Sequence, residues 1–123
     1  MNAAALERSL RKRLCAQTRI VAEDVRGFGG YAEYRQDEPN GALKIAWDPF
    51  QYDLLGLVIH ELCHPRLDGR LEVMGGQAEP AIEGIAENHA GYIRSSKARY
   101  AWWRREIKRR LDPRSLKVWR ACE

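Results

Sequence analysis

The sequence predicts a single α+β domain in which a small mixed sheet packs against two central helices. Three observations carry this. Leucine and isoleucine recur at helical spacing in several segments, whereas the two stretches flanking Asn40-Gly41, a strong hairpin signal, read as strands. At 123 residues, 45% of them hydrophobic, the chain can fill one core but not two ordinary ones. No internal repeat and no linker divides it, so residues 1–123 are read as one domain, with 94–123 a basic helical segment at its end.

Taken in order, Ala3 to Gln17 reads as a helix, because Leu6, Leu10 and Leu14 recur every four residues with charges between them. Arg19 to Val25 carries β-branched residues in weak alternation and reads as a strand. Gly27-Phe28-Gly29-Gly30 is a turn and not a phosphate loop, since no Lys-Ser/Thr and no helix pattern follow it. Tyr31 to Gln36 and Ala42 to Trp47 form a hairpin about Asn40-Gly41. Asp48-Pro49 starts the next helix, with Asp48 as N-cap. That helix is expected to end or kink near His64, because Pro65 disfavours helical geometry before it. Residues 67–79 hold Gly69, Gly75 and Gly76 and read as a loop. Pro80 opens a helix to about Ser95, another spans Ser96 to Leu111, and a short one spans Ser115 to Ala121.

Composition narrows the function classes. With 31% charged residues and no excess of Gly or Pro, the chain is neither collagen-like nor wholly disordered. The longest apolar run, Leu54 to Ile59, is broken by Gly56 and cannot span a bilayer, so no membrane partner is expected. No secretory signal follows the basic start. Cys15, Cys63 and Cys122 are odd in number and widely spaced, which suits reduced thiols in a cytoplasm. The net charge of +4 is uneven. Residues 94–123 carry 11 Lys/Arg against 3 Asp/Glu, whereas residues 1–93 carry 10 against 14. The basic end reads either as a solvated helix face or as a surface for nucleic acid.

The informative segment is His60-Glu61-Leu62-Cys63-His64, which holds two of the chain's three histidines. On a helix, positions i and i+4 share a face, so His60 and His64 can bind one metal ion. Glu61 is turned about 100° from His60 and can flank that ion as a general base. Taking His60 as zero, Leu54, Leu55, Val58, Ile59 and Leu62 cluster at roughly 120–260°, so an apolar back opposes the ligand face. Cys63 is read as a packing residue. In the next helix Glu79, Glu83 and Glu87 form an acidic row opposite Ile82, Ile85, Tyr92 and Ile93. The small residues Gly84, Ala86, Ala90 and Gly91 flank that row and would admit a neighbouring helix. His89 falls on the apolar arc and reads as a core histidine, with a third metal ligand as the alternative.

His60-Glu61-Leu62-Cys63-His64, then eighteen residues, then Glu83-Gly84-Ile85-Ala86-Glu87 resembles the gluzincin zinc metallopeptidases, the aminopeptidase branch above all. The matched part runs from about Leu57 to Tyr92, and the chain is similar in size to the minigluzincins. The resemblance implies a zincin-like fold holding one Zn²⁺ per chain. Its ligands would be His60, His64 and Glu83, its general base Glu61, and Glu87 an outer carboxylate that orients a ligating histidine. It also implies an edge strand for extended substrate, for which Ala42 to Trp47 is the candidate by position. Tyr34, Tyr92 and Tyr100 are candidates for a transition-state stabiliser. Astacin-like spacing is excluded, since position 67 is Leu and position 70 is Arg.

The expected function is zinc-dependent hydrolysis of peptide bonds in a peptide or protein substrate, through a zinc-bound water with Glu61 as base. The alternative is a nucleic-acid-binding protein that uses the basic end, with a vestigial or structural zinc site. Tyr100, Trp102, Trp103 and Trp119 are interleaved there and could stack bases. Against that, Tyr100, Trp103, Ile107 and Leu111 fall on one helical stripe, the pattern of a buried face.

Overall fold

The computed structural model describes residues 2–24, 42–47, 49, 53–71 and 78–122. In chain order these form α1 (Ala3–Ala16), β1 (Arg19–Asp24), β2 (Ala42–Trp47), α2 (Leu54–Leu71), α3 (Ala78–Arg94), α4 (Lys97–Arg110) and α5 (Pro113–Cys122). The architecture is predominantly helical, which overturns the expected α+β domain with a small mixed sheet. Among the described residues the only strand pairing is one parallel pair, β1 with β2, in register from Arg19↔Ala42 to Asp24↔Trp47.

The edge of β1 away from β2 is covered by the link from α4 to α5. The Asp112 N–H donates to the Ile20 carbonyl at 3.2 Å, and Ile20 bridges Leu111. Further along, the Ser115 hydroxyl accepts from the Ala22 N–H at 3.3 Å and donates to the Ala22 carbonyl at 3.0 Å. The link from α4 to α5 thus satisfies the backbone groups a third strand would need. The Tyr31–Gln36 strand and the Asn40-Gly41 turn lie outside the described residues, as does Tyr34.

Each element owes its place to its buried face. The Asn2 side chain caps α1 by accepting from the Ala5 N–H at 2.8 Å, and Leu6, Leu10 and Leu14 bury its stripe. In β2 the alternate residues Leu43, Ile45 and Trp47 are buried, as are Ile20 and Ala22 in β1. Ser96 caps α4, and Trp103 and Ile107 bury its inner face. At the centre, α2 packs along α3 and also meets α1, β2 and α4.

Two boundaries differ from expectation. The central helix begins at Leu54, where the Leu57 N–H reaches the Asp53 carbonyl, and not at Pro49; Asp48 lies outside the described residues. It then continues through Pro65 to Leu71, so neither the end near His64 nor the loop start at residue 67 is found. Pro65 costs this helix one backbone hydrogen bond, to the carbonyl four residues back. The burial of Leu54, Leu55, Val58, Ile59 and Leu62 along its preceding turns outweighs that loss. The glutamate helix starts at Ala78, which leaves Pro80 inside the first turn, where no backbone donor is required. No helix is long and apolar enough to cross a membrane among the described residues.

Candidate metal centre

The apolar side of α2 fixes where its polar residues point. Leu54, Leu55, Val58, Ile59, Leu62 and Cys63 are buried, which leaves His60 and His64 half-buried on the remaining side. Their Nε2 atoms lie 3.0 Å apart, with the ring centroids separated by 4.9 Å and the planes tilted by 50°. The Glu61 carboxylate joins them: one donor atom from each of His60, Glu61 and His64 falls within 4.8 Å of the others. Glu61 itself is buried, 1% exposed.

This donor set suits zinc. Two nitrogens bound tetrahedrally at 2.0–2.1 Å stand about 3.3 Å apart, close to the observed spacing. Imidazole nitrogen with carboxylate oxygen is a usual zinc donor combination.

Cys63 is not a further donor. It is fully buried, and burial pushes its thiol up to about 11 despite the opposing charge of Arg13. A thiol so protonated packs as a small apolar group, as its place in the sequence suggests.

The glutamates of α3 lie apart from the cluster. Glu83 and Glu87 are both exposed, and neither belongs to the His60–Glu61–His64 group. Their level along the helix is nevertheless informative. The Arg94 guanidinium pairs with the Asp53 carboxylate, tying the end of α3 to the start of α2, so the two helices run antiparallel. At a rise of 1.5 Å per residue, His60 and His64 lie about 10 and 16 Å beyond Asp53. Glu87 and Glu83 lie the same two distances back from Arg94. For an ideal antiparallel pairing anchored at that ion pair, Glu87 falls near the level of His60 and Glu83 near that of His64. The contact with α2 does not use Gly84 or Gly91, where an added Cβ would meet nothing within 4 Å. Ala86 and Ala90 are the buried small residues of α3.

His89 is placed elsewhere. It is buried beneath Tyr92, with its Nε2 3.5 Å from Glu7 Oε1 of α1, the outer limit of a hydrogen bond. It is not part of the metal cluster, so the alternative of His89 as third ligand is set aside. Tyr92 is covered by the Arg99 guanidinium, 3.8 Å from its ring centroid.

Sequence reasoning missed the partner that holds His89. The Trp103 indole N–H donates to Glu7 Oε1 at 2.6 Å and to Oε2 at 3.3 Å, and Arg11 Nε stands 3.7 Å away. Burial pushes the Glu7 carboxyl up. The hydrogen bonds from His89 and Trp103, and the charges of His89 and Arg11, outweigh it and hold the carboxyl below the ordinary glutamate value. A signal was available: Glu7 lies on the Leu6–Leu10–Leu14 stripe, where a charge needs a partner. No protein-family model, curated protein or solved structure matches the chain.

Proposed function

We propose that the chain is a zinc-dependent peptidase of gluzincin type, acting on a peptide or protein substrate. The observation that carries this reading is the convergence of the His60 and His64 nitrogens with the Glu61 carboxylate on one side of α2. His60 and His64 would hold the ion. Glu83, level with His64 on the antiparallel α3, would supply the third ligand by turning its exposed side chain inward. Glu87, level with His60, would orient that imidazole from outside.

Zinc, when bound, supplies Lewis acidity that polarises the scissile carbonyl and acidifies water. Glu61 accepts the water proton and passes it to the leaving amine. Its burial beside the histidines keeps bulk water from competing for that proton. The compartment we propose is the cytoplasm, which three free cysteines support.

The test combines zinc content by native mass spectrometry with cleavage of an unfolded protein such as casein. Glu61→Gln should keep zinc and lose on the order of 10² to 10⁴ in rate. Glu83→Ala should lose zinc, and Glu87→Ala should weaken it roughly 10–100-fold. Wild-type turnover in zinc-loaded Glu61→Gln would refute the mechanism. Zinc retention by Glu83→Ala with zinc loss from Glu61→Gln would make Glu61 a ligand and remove the gluzincin assignment.

A further inference from the structure

A concave site lies between α4 and α5, lined by none of the residues of the metal cluster. The cleft has a volume of about 690 Å³, and none of its lining residues belongs to α2 or α3. Among the described residues Lys97, Arg104, Arg105, Lys108, Arg109 and Arg120 line it, and none of the described lining residues is acidic. We propose that this cleft binds the phosphodiester backbone of a nucleic acid without reading its bases.

Several observations select that occupant. The first is uncompensated charge. Glu106, buried beside the cleft, is the shared carboxylate of Arg105 at 3.7 Å, Arg109 at 3.2 Å and Arg110 at 3.1 Å. Arg105 and Arg109, which line the cleft, share that one carboxylate with Arg110, which does not, so the wall keeps a positive excess. Burial pushes the Glu106 carboxyl up, but the hydrogen bonds and charges of Arg110 and Arg109 outweigh it and leave it lowered. It therefore stays ionised and keeps those arginines in place.

The second observation is pre-organisation. The Arg104 guanidinium sits 5.5 Å from the Tyr100 ring centroid and 5.7 Å from that of Trp119, and Lys108 Nζ lies 5.8 Å from Trp119. Aromatic faces thus hold two of the cations at their positions. The third is length. From Lys97 to Lys108 the cations of α4 extend over about 16 Å, and a nucleic-acid strand presents about five phosphates over that axial distance.

Three of the four aromatic residues interleaved in the sequence offer no base-stacking platform; the fourth, Tyr100, lines the cleft half-buried beside Arg104. Trp103 and Trp119 are buried, and the Arg11 guanidinium covers the Trp102 ring at 4.3 Å. Contacts to phosphate, which position without specifying sequence, are what remains.

The experiment is fluorescence anisotropy of the full chain with a labelled 20-mer duplex, the matching single strand and poly-glutamate, between 50 and 200 mM salt. About five phosphate contacts predict a slope of log K against log salt near −4.5 for duplex and near −3.5 for single strand. Duplex affinity should then fall roughly 500-fold over that range. The two slopes show which form of the backbone is preferred, and either one supports the proposal.

The triple variant Lys97→Gln/Arg105→Gln/Arg120→Gln should flatten the duplex slope by about 3, losing roughly tenfold in affinity per contact at 50 mM salt. The control Arg8→Gln/Lys12→Gln/Lys117→Gln removes as many exposed charges outside the cleft and should bind like wild type. Absence of binding at 50 mM salt would overturn the proposal. So would equal losses in the two folded variants, or poly-glutamate binding as tightly as nucleic acid. None of these outcomes depends on zinc, so the cleft and the metal centre stand or fall separately.

Discussion

The substitution Glu7→Gln removes one charge from the interior without changing its volume. Glu7 is 6% exposed and accepts from Trp103 of α4 while facing His89 of α3 and Arg11 of its own helix. A glutamine could still accept from the Trp103 indole. Its amide would then turn a donor towards His89 and Arg11, and the charge-assisted part of each contact would be gone. A hydrogen bond to a charged group contributes about 1.5–3 kcal/mol, so we expect a loss of about 2 kcal/mol at pH 7. For a chain of this length that corresponds to a fall in Tm of about 8 °C.

The pH dependence follows from the lowered pKa of Glu7. Because the carboxyl is more acidic folded than unfolded, the unfolded chain binds the proton first as pH falls. Its stabilisation is complete above the unfolded value near 4.5, and is lost as pH falls through the folded value. Wild type should therefore exceed the variant fully at pH 7 and pH 5.5, with the gap closing below about pH 4.5. Urea unfolding followed by tryptophan emission and circular dichroism, at pH 7, 5.5, 4.5 and 3.5, measures this. A gap below about 0.5 kcal/mol at pH 7, or one that persists undiminished at pH 3.5, would refute the role given to Glu7.

Two further outcomes test the packing around the proposed site. Cys15 and Cys122 are exposed while Cys63 is buried with its thiol pushed up to about 11. A thiol reagent at pH 8 should therefore titrate two cysteines at once and the third only after urea is added; three fast equivalents would show that α2 is not buried as described. Ser115→Ala strips the hydroxyl that bridges both backbone groups of Ala22, and should cost about 2 kcal/mol in urea unfolding. A neutral effect would mean that this edge of β1 is satisfied in another way.

The sequence made some of this legible and hid the rest for identifiable reasons. Local signals were strong where one face of an element is buried. Leu6, Leu10 and Leu14 marked α1, and Leu43, Ile45 and Trp47 marked β2 by alternation. The i, i+4 pair His60 and His64 needs only helical geometry to meet, and the two rings do meet. Pro65 misled because its local cost is one hydrogen bond, whereas burial along α2 acts over several turns. How the outer edge of β1 is closed was not legible, because it is a contact between β1 and Ser115, 93 residues apart. Glu7 and Trp103, 96 residues apart, were hidden for the same reason.

The two sites also differ in how they depend on tertiary structure. The His60–Glu61–His64 cluster is written within one turn of one helix, so its existence follows from local sequence alone. A further donor from α3 would depend on tertiary structure, because α3 returns antiparallel along α2 with Arg94 paired to Asp53. The basic cleft requires tertiary structure from the outset. Its charge was countable in residues 94–123, but charge alone fits a solvated face equally well. The structure adds that Trp103 and Ile107 bury the inner side of α4, while Trp119 stands beneath Arg104 and Lys108. With that side committed to the core, the lysines and arginines are gathered onto the wall between the helices. On that wall Arg105 and Arg109 share a single carboxylate, Glu106, with Arg110 outside the cleft, and this excess of cations is what the salt-dependence measurement probes.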